Sequence, residues 1–286
     1  MALAALLMAF NTGVGWAQNT NWPMYNHDLQ GTRHSPLSTI NRENVGDLEQ
    51  VWSFNLGRIA GSGSLTGGSE ATPIVVDGVM FLPLAESVIA LDAETGDEIW
   101  NFQMSIDAPP SRRGVSYWGG NSETAARIYV TSGTRLIGLS AFTGEFTANF
   151  GDGGIVDMGQ AYNGVPAVFE NLLLVGTNGV PGSVRTFDTV TGDLVWEFRS
   201  VPQPGEFGND TWEGESWMDR TGTYSWAFAP TMDPERGIYY AVFETAGPIA
   251  KASSIFIILP SEFDFISKDS KRIPSPLSVS AIPCKE

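Results

Sequence analysis

Apolar and polar positions alternate in short runs along most of this chain, and the runs return on a fixed beat. Val88-Ile-Ala-Leu91 leads into Asp-Ala-Glu-Thr-Gly96, after which Trp100 and Phe102 mark a second run. The same phrase, Ala90 to Phe102, comes back as Gly138 to Phe150 and as Thr186 to Phe198, with Gly96, Gly144 and Gly192 at a constant spacing of 48 residues. One further spacing before Trp100 and Phe102 stand Trp52 and Phe54. Alternation with period two predicts strands. In the Asp-x-x-Thr-Gly stretch the Asp and Thr side chains can bond the turn backbone, and Gly takes a positive φ. Trp and Phe two positions apart point to one face, where an indole can fill the seam between neighbouring sheets. A strand–turn–strand phrase at a period of 40–50 residues predicts an all-β fold, a β-propeller with roughly 48-residue blades.

The stretches between the phrases supply the remaining strands. Thr72 to Leu82 reads as a hairpin with Asp77-Gly78 as its two-residue turn. Arg127-Ile-Tyr-Val130, Ala167-Val-Phe169 and Leu172-Leu-Leu-Val175 extend the scheme to the second and third repeats. Residues 199–222 form a polar insertion carrying Gly and Trp. Ser225-Trp-Ala-Phe and Gly237 to Phe243 then read as two strands of another blade, with no Thr-Gly phrase after them. The prediction is an incomplete propeller of about four to five blades.

Composition sharpens this picture in three places. The chain carries 32 Gly, 17 Pro and 9 Trp among 286 residues, a turn-rich makeup suited to all-β structure. Its net charge of −16 argues against nucleic acid as a partner. The single Cys, Cys284, excludes an internal disulfide. The text also changes near residue 250: all four lysines (Lys251, Lys268, Lys271, Lys285) and Cys284 follow that point, and every Gly and Trp precedes it. Residues 251–286 therefore read as an atypical tail, disordered or non-native, with a flexible extension as the alternative.

At the other end, residues 1–17 read as a signal peptide: Ala2 to Phe10 is apolar, and Gly15-Trp-Ala17 places small residues at a cleavage site. That run is shorter than the roughly 20 residues a bilayer requires. The expectation is an exported protein, periplasmic or secreted, without a transmembrane span, whose propeller part covers residues 18–250. His27 and His34, the only histidines, lie seven apart in the leading segment without companion zinc ligands, which favours structural or surface roles.

Several stretches together carry a resemblance over residues 21 to about 248. They are the leading segment, Ser69-Glu-Ala-Thr-Pro-Ile-Val-Val-Asp-Gly-Val-Met80, Arg113-Gly-Val-Ser-Tyr-Trp118, the three Thr-Gly phrases, and Pro204-Gly-Glu-Phe-Gly-Asn-Asp-Thr-Trp212. In these the chain resembles the N-terminal part of the dehydrogenases that use pyrroloquinoline quinone (PQQ), of the alcohol and membrane glucose dehydrogenase type. The resemblance implies an eight-bladed propeller with PQQ on its axis beside a calcium ion. It also implies oxidation of an alcohol or sugar hydroxyl, with electrons passed to cytochrome c or ubiquinone. Carried over by position, Glu70 matches a quinone-contacting Glu, Arg113 an Arg that pairs with PQQ oxygens, and Trp226 the Trp on which the cofactor stacks.

Departures accompany the matches. Pro109-Pro110-Ser111 stand where many members carry adjacent cysteines, and the loop Thr177 to Gly182 holds no carboxylate where the family places a calcium ligand. Asn178, Glu244 and Thr245 are the oxygen-bearing candidates for the metal. The Asp that acts as base in the family would follow beyond this sequence, so no catalytic residue is assigned and the chain is expected to be a truncated, inactive part. The alternative from another class is a non-catalytic exported propeller scaffold.

Overall fold

The computed structural model describes residues 21–56, 70–104, 109–178, 182–206, 209–218 and 231–243, together with the backbone of 254–258 and 279–282. The alternating runs within these residues become strands, while the Ser225-Trp-Ala-Phe run lies outside them, and the described strands form four antiparallel sheets of four. The first holds β1 (Ile74–Val76), β2 (Val79–Pro83), β3 (Ser87–Asp92) and β4 (Glu98–Gln103), paired in chain order. The second holds β5 (Ser116–Trp118), β6 (Arg127–Ser132), β7 (Arg135–Ser140) and β8 (Ile155–Asp157). The third comprises β9 (Ala167–Phe169), β10 (Leu172–Val175), β11 (Ser183–Asp188) and β12 (Leu194–Arg199). The fourth comprises β13 (Thr231–Asp233), β14 (Ile238–Phe243), β15 (Ser254–Ile258) and β16 (Val279–Ile282). Four consecutive up-and-down sheets are four propeller blades.

The turns form as their residues dictate. Asp77 and Gly78 adopt φ 50° and 80°, the left-handed pair that joins β1 to β2 in two residues. Asp92 accepts from the backbone N–H groups of Glu94 and Thr95 at 2.9 and 2.8 Å, and Asp188 does the same for Val190 and Thr191 at 2.7 and 2.8 Å. These bonds close the turns around Gly96 and Gly192.

Seams between sheets follow the aromatic beat. Trp100 on β4 lies against Gly144 of the second sheet and donates its indole N–H to Ala141 O at 3.0 Å. Trp52 repeats that placement on Gly96, donating to Ala93 O at 3.2 Å. Residues 51–56 therefore hold the outer-strand position of one more blade next to the first sheet. The second seam departs from the sequence prediction. Ala148 stands where the Trp should be, and only a bridge between Leu139 and Phe146 follows the turn. Gly151, Gly153 and Gly154, all at positive φ, delay the outer strand to Ile155–Asp157. Val156 and Phe150 then fill the space over Gly192 that an indole fills elsewhere.

Within residues 251–286, the backbone of β15 pairs with β14 and that of β16 with β15, completing the fourth sheet. The run Ile255-Phe-Ile-Ile258 is β-branched and aromatic, which suits a strand.

Apolar side chains from facing sheets make two main cores. One joins the first and second sheets through Ile74, Val88, Trp100, Ile128, Val130 and Leu139. The other joins the second, third and fourth through Tyr129, Phe150, Leu173, Phe187, Met232 and Tyr239. Each such side chain contributes about 1.5–3 kcal/mol on burial. Arg127, 2% exposed, spans the middle seam: it donates to Thr189 O and Val190 O at 2.8 Å each and to Asn149 Oδ1. The leading segment runs past the first strands of several sheets. Trp22 pairs with Val75 of β1, Tyr25 and Asp28 face Ser116 and Pro166, and Leu29 O accepts from Met232 N at 2.7 Å. Among the described residues no helix is long and apolar enough to cross a membrane.

Candidate functional site

In an up-and-down sheet the approach to the first strand and the turn between the second and third lie at the same end. Residues 70–73 before β1, 109–115 before β5, 163–166 before β9 and the β10–β11 turn around Asn178 therefore share one end of the propeller. The Asp-Gly and Thr-Gly turns lie at the other end.

Two of the site residues expected from sequence meet on that end. Arg113 Nη1 lies 2.7 Å from Glu70 Oε2, with side-chain exposures of 21% and 43%. A second bond runs parallel to the ion pair, from Glu70 N–H to Arg112 O at 3.1 Å. Glu70 belongs to the first sheet's approach and Arg113 to the second's, so the pair bridges two blades. With the carboxylate nearly half exposed, the pair contributes on the order of 1 kcal/mol to stability. Its value is geometric, because it holds a cation at a loop surface in one orientation. Gly114, next to Arg113, lets this segment pack closely against the one before β9. It adopts φ 149°, and a Cβ there would stand 3.2 Å from Val165 Cγ2.

Behind the pair is a chain of bonds that no motif announced. Arg113 N–H donates to Ser111 Oγ at 3.2 Å, and that hydroxyl donates to Asn163 O at 2.5 Å. Ser111 N–H is fixed to Thr131 O on β6 at 2.7 Å. Asn163 N–H donates to Asn178 Oδ1 at 2.8 Å, and Asn178 N–H returns to Ala161 O at 2.8 Å. Ser111 is buried at 5% exposure. A lone serine among prolines and arginines, and an asparagine acting through its backbone, carry no sequence signal. Only the departure at Pro109-Pro110-Ser111 marked the place.

The two cofactors implied by the sequence fare differently here. A partly shielded guanidinium, oriented by a carboxylate across two sheets, is a donor arrangement that suits a planar, carboxylated quinone. The Glu70–Arg113 pair therefore fits PQQ. For calcium the described residues do not fit: no group of three or more Asp, Glu, His or Cys side chains converges among them. Asn178, the one metal candidate within the described residues, turns its side-chain oxygen onto the Asn163 amide. Trp226, Glu244 and Thr245 lie outside the described residues. His27 packs edge-on against Trp22 at 4.8 Å between ring centroids and lies 3.6 Å from the Asp28 carboxylate, within the leading segment.

Comparison with known proteins gives a consistent picture. The family model described as PQQ glucose/ethanol/alcohol dehydrogenase, β-propeller domain, matches residues 22–248. A quinohemoprotein alcohol dehydrogenase of Comamonas testosteroni is 33% identical over 251 residues, covering 78% of this chain and 33% of that protein. Methanol dehydrogenase (cytochrome c) subunit 1 of Paracoccus denitrificans is 29% identical over 255 residues, 77% of this chain and 39% of its own length. The crystal structure of the Comamonas testosteroni enzyme superposes with a TM-score of 0.67 over 85% of this chain and 40% of that one, at 29% identity. The chain thus spans a third to two-fifths of the length of these relatives.

Proposed function

This chain belongs to the PQQ-dependent glucose/ethanol/alcohol dehydrogenase β-propeller family, and from that premise we propose that it carries part of the PQQ site of an exported oxidoreductase. The observation that carries the proposal is the Glu70–Arg113 pair, 2.7 Å apart on the loop end shared by the first two sheets. Arg113 donates hydrogen bonds to the oxygens of the bound cofactor, a task for which a planar fork of N–H groups is suited. Glu70 keeps that fork from rotating away. Trp226 is the proposed stacking surface. When bound, PQQ supplies the two-electron acceptor for oxidation of an alcohol or sugar hydroxyl.

The whole protein's substrate is proposed to be a small alcohol or sugar, and its electron acceptor cytochrome c or ubiquinone. The relatives named above act as alcohol and methanol dehydrogenases, which supports the substrate class. Calcium enters through the family alone, and no role is assigned to it at the described residues. Export rests on the apolar run and small-residue site in residues 1–17. No observation favours the scaffold alternative.

The test is PQQ titration of the protein, followed by equilibrium dialysis and by quenching of tryptophan emission. Saturable binding is expected, weakened about tenfold or more in Glu70→Gln and in Arg113→Lys through loss of a charge-assisted bond. Absence of saturable binding, or an Arg113→Ala variant that binds as well as the parent, refutes the proposal.

A further inference from the structure

We infer that Ser111, braced through the Asn163 backbone by Asn178, is a positioning residue that sets the orientation of Arg113 across three sheet approaches. The inference rests on the cofactor reading above, since it concerns the cation that reading uses. Ser111 sits two residues before Arg113, so its hydroxyl can reach the Arg113 amide while its own amide is pinned to β6. All three of its polar connections are made: N–H to Thr131 O at 2.7 Å, Oγ–H to Asn163 O at 2.5 Å, and Oγ accepting from Arg113 N–H at 3.2 Å. Pro109 and Pro110 come just before, and their fixed φ values narrow the paths by which this segment can approach.

Asn163 takes part in this arrangement through its main chain, its carbonyl accepting from Ser111 Oγ and its N–H donating to Asn178 Oδ1. Its position is set from the β10–β11 turn, where Asn178 Oδ1 takes its N–H at 2.8 Å. Thr131, whose carbonyl holds Ser111, also donates its hydroxyl to Gly164 O at 2.9 Å, so β6 is tied to the approaches of both β5 and β9. Glu70 fixes the far end of Arg113, and the Ser111–Asn163–Asn178 chain fixes the near end. Asn178, a candidate metal ligand by sequence, is thereby given a different task as a strut in the second support layer. A guanidinium presents its donors productively only when both its backbone and its tip are held.

Two readouts test this on the full-length protein. In the apo protein, the Arg113 guanidinium N–H signal in ¹⁵N-edited NMR, assigned by its disappearance in Arg113→Lys, is expected as a resolved resonance. Ser111→Ala and Asn178→Ala average it out, and Asn178→Asp, which keeps an acceptor oxygen for the Asn163 amide, retains it. Asn178 lies on an exposed turn, so its variants report even if Ser111→Ala folds poorly.

The second readout is PQQ affinity in a double-mutant cycle. Ser111→Ala is expected to weaken binding about tenfold in the parent, as for a buried hydrogen bond left unmade. In an Arg113→Ala background the same change should alter affinity less than about twofold, because the route of its effect is gone. An Arg113 resonance unchanged in both Ser111→Ala and Asn178→Ala overturns the inference, and so does an equal loss of affinity in the two backgrounds. If the parent fails to bind PQQ, the cofactor reading falls, while the positioning role still stands or falls on the NMR signal.

Discussion

Substituting alanine for Gly144 separates two contributions that glycine makes to this fold. Gly144 and Gly78 both occupy the left-handed region, at φ +72° and +80°. A Cβ at either position therefore carries a similar backbone penalty, about 1 kcal/mol. Their surroundings differ. Nothing lies within 4 Å of a Cβ on Gly78, whereas one on Gly144 would stand 2.5 Å from Trp100 Cε3 and 2.6 Å from Cδ2. Carbon atoms pack at about 3.5–4.0 Å, so the indole must withdraw by roughly 1 Å. Withdrawal breaks its 3.0 Å bond to Ala141 O, a loss of about 1 kcal/mol. It also forces a 7%-exposed side chain to repack, which adds about 1–3 kcal/mol. Gly144→Ala should therefore destabilise by about 3–5 kcal/mol and Gly78→Ala by about 1, measured from urea unfolding curves at constant slope. In a Trp100→Ala background, Gly144→Ala should cost only the backbone penalty of about 1 kcal/mol. If the two glycine variants agree within about 0.5 kcal/mol in the parent, the indole-on-glycine seam does not hold the blades together as described.

Burial pushes the Tyr129 phenol well above its ordinary value, against a smaller opposing effect of Arg127. The unfolded chain then ionises first, so stability is level below about pH 10 and falls as pH rises beyond it. Tyr129→Phe, though less stable at neutral pH for want of its bond to Thr189 O, should show a shallower alkaline decline in pH-dependent melting. Asp92 titrates below the usual carboxylate range because the Thr95 and then the Glu94 amides donate to it. Its contribution is present above about pH 4 and is lost as pH falls through the lowered value. Asp92→Asn should flatten the acid limb of the same melting curve, and an unchanged limb counts against the turn's role.

The parts of the fold that sequence disclosed are those where one residue type has one geometric use. Asp77-Gly78 and the Asp-x-x-Thr-Gly turns needed left-handed backbone and local acceptors, and the structure puts both there. The Trp beat located two of the seam positions, Trp100 on Gly144 and Trp52 on Gly96 before the first sheet. It failed in the second repeat because Ala148 cannot fill a seam, and the glycines that move the outer strand to Ile155–Asp157 signal a turn without its length. At the site, Glu70 and Arg113 were legible because their charges had recognisable positions, and they do meet. Ser111 and Asn163 were not, since a buried hydroxyl and a main-chain amide become functional only through what tertiary packing sets beside them. Asn178 was singled out for its side-chain oxygen. The structure shows that oxygen serving another loop.

The leading segment has a consequence for the order in which the chain folds. Each sheet is built from strands adjacent in sequence, so its hairpins can close on local contacts alone. The bond from Met232 N–H to Leu29 O instead joins residues more than 200 positions apart, and Trp22 must find Val75 across more than 50. Loops of that size close at an entropic disadvantage until both ends already have partners. The segment from Trp22 to Leu29 should thus dock late, after the fourth sheet has formed, and serve as a latch whose release precedes blade unfolding. In hydrogen exchange its amides would open first while those of β6 and β11 stay closed, so a segment that precedes all four sheets in the chain would be the last to find its place.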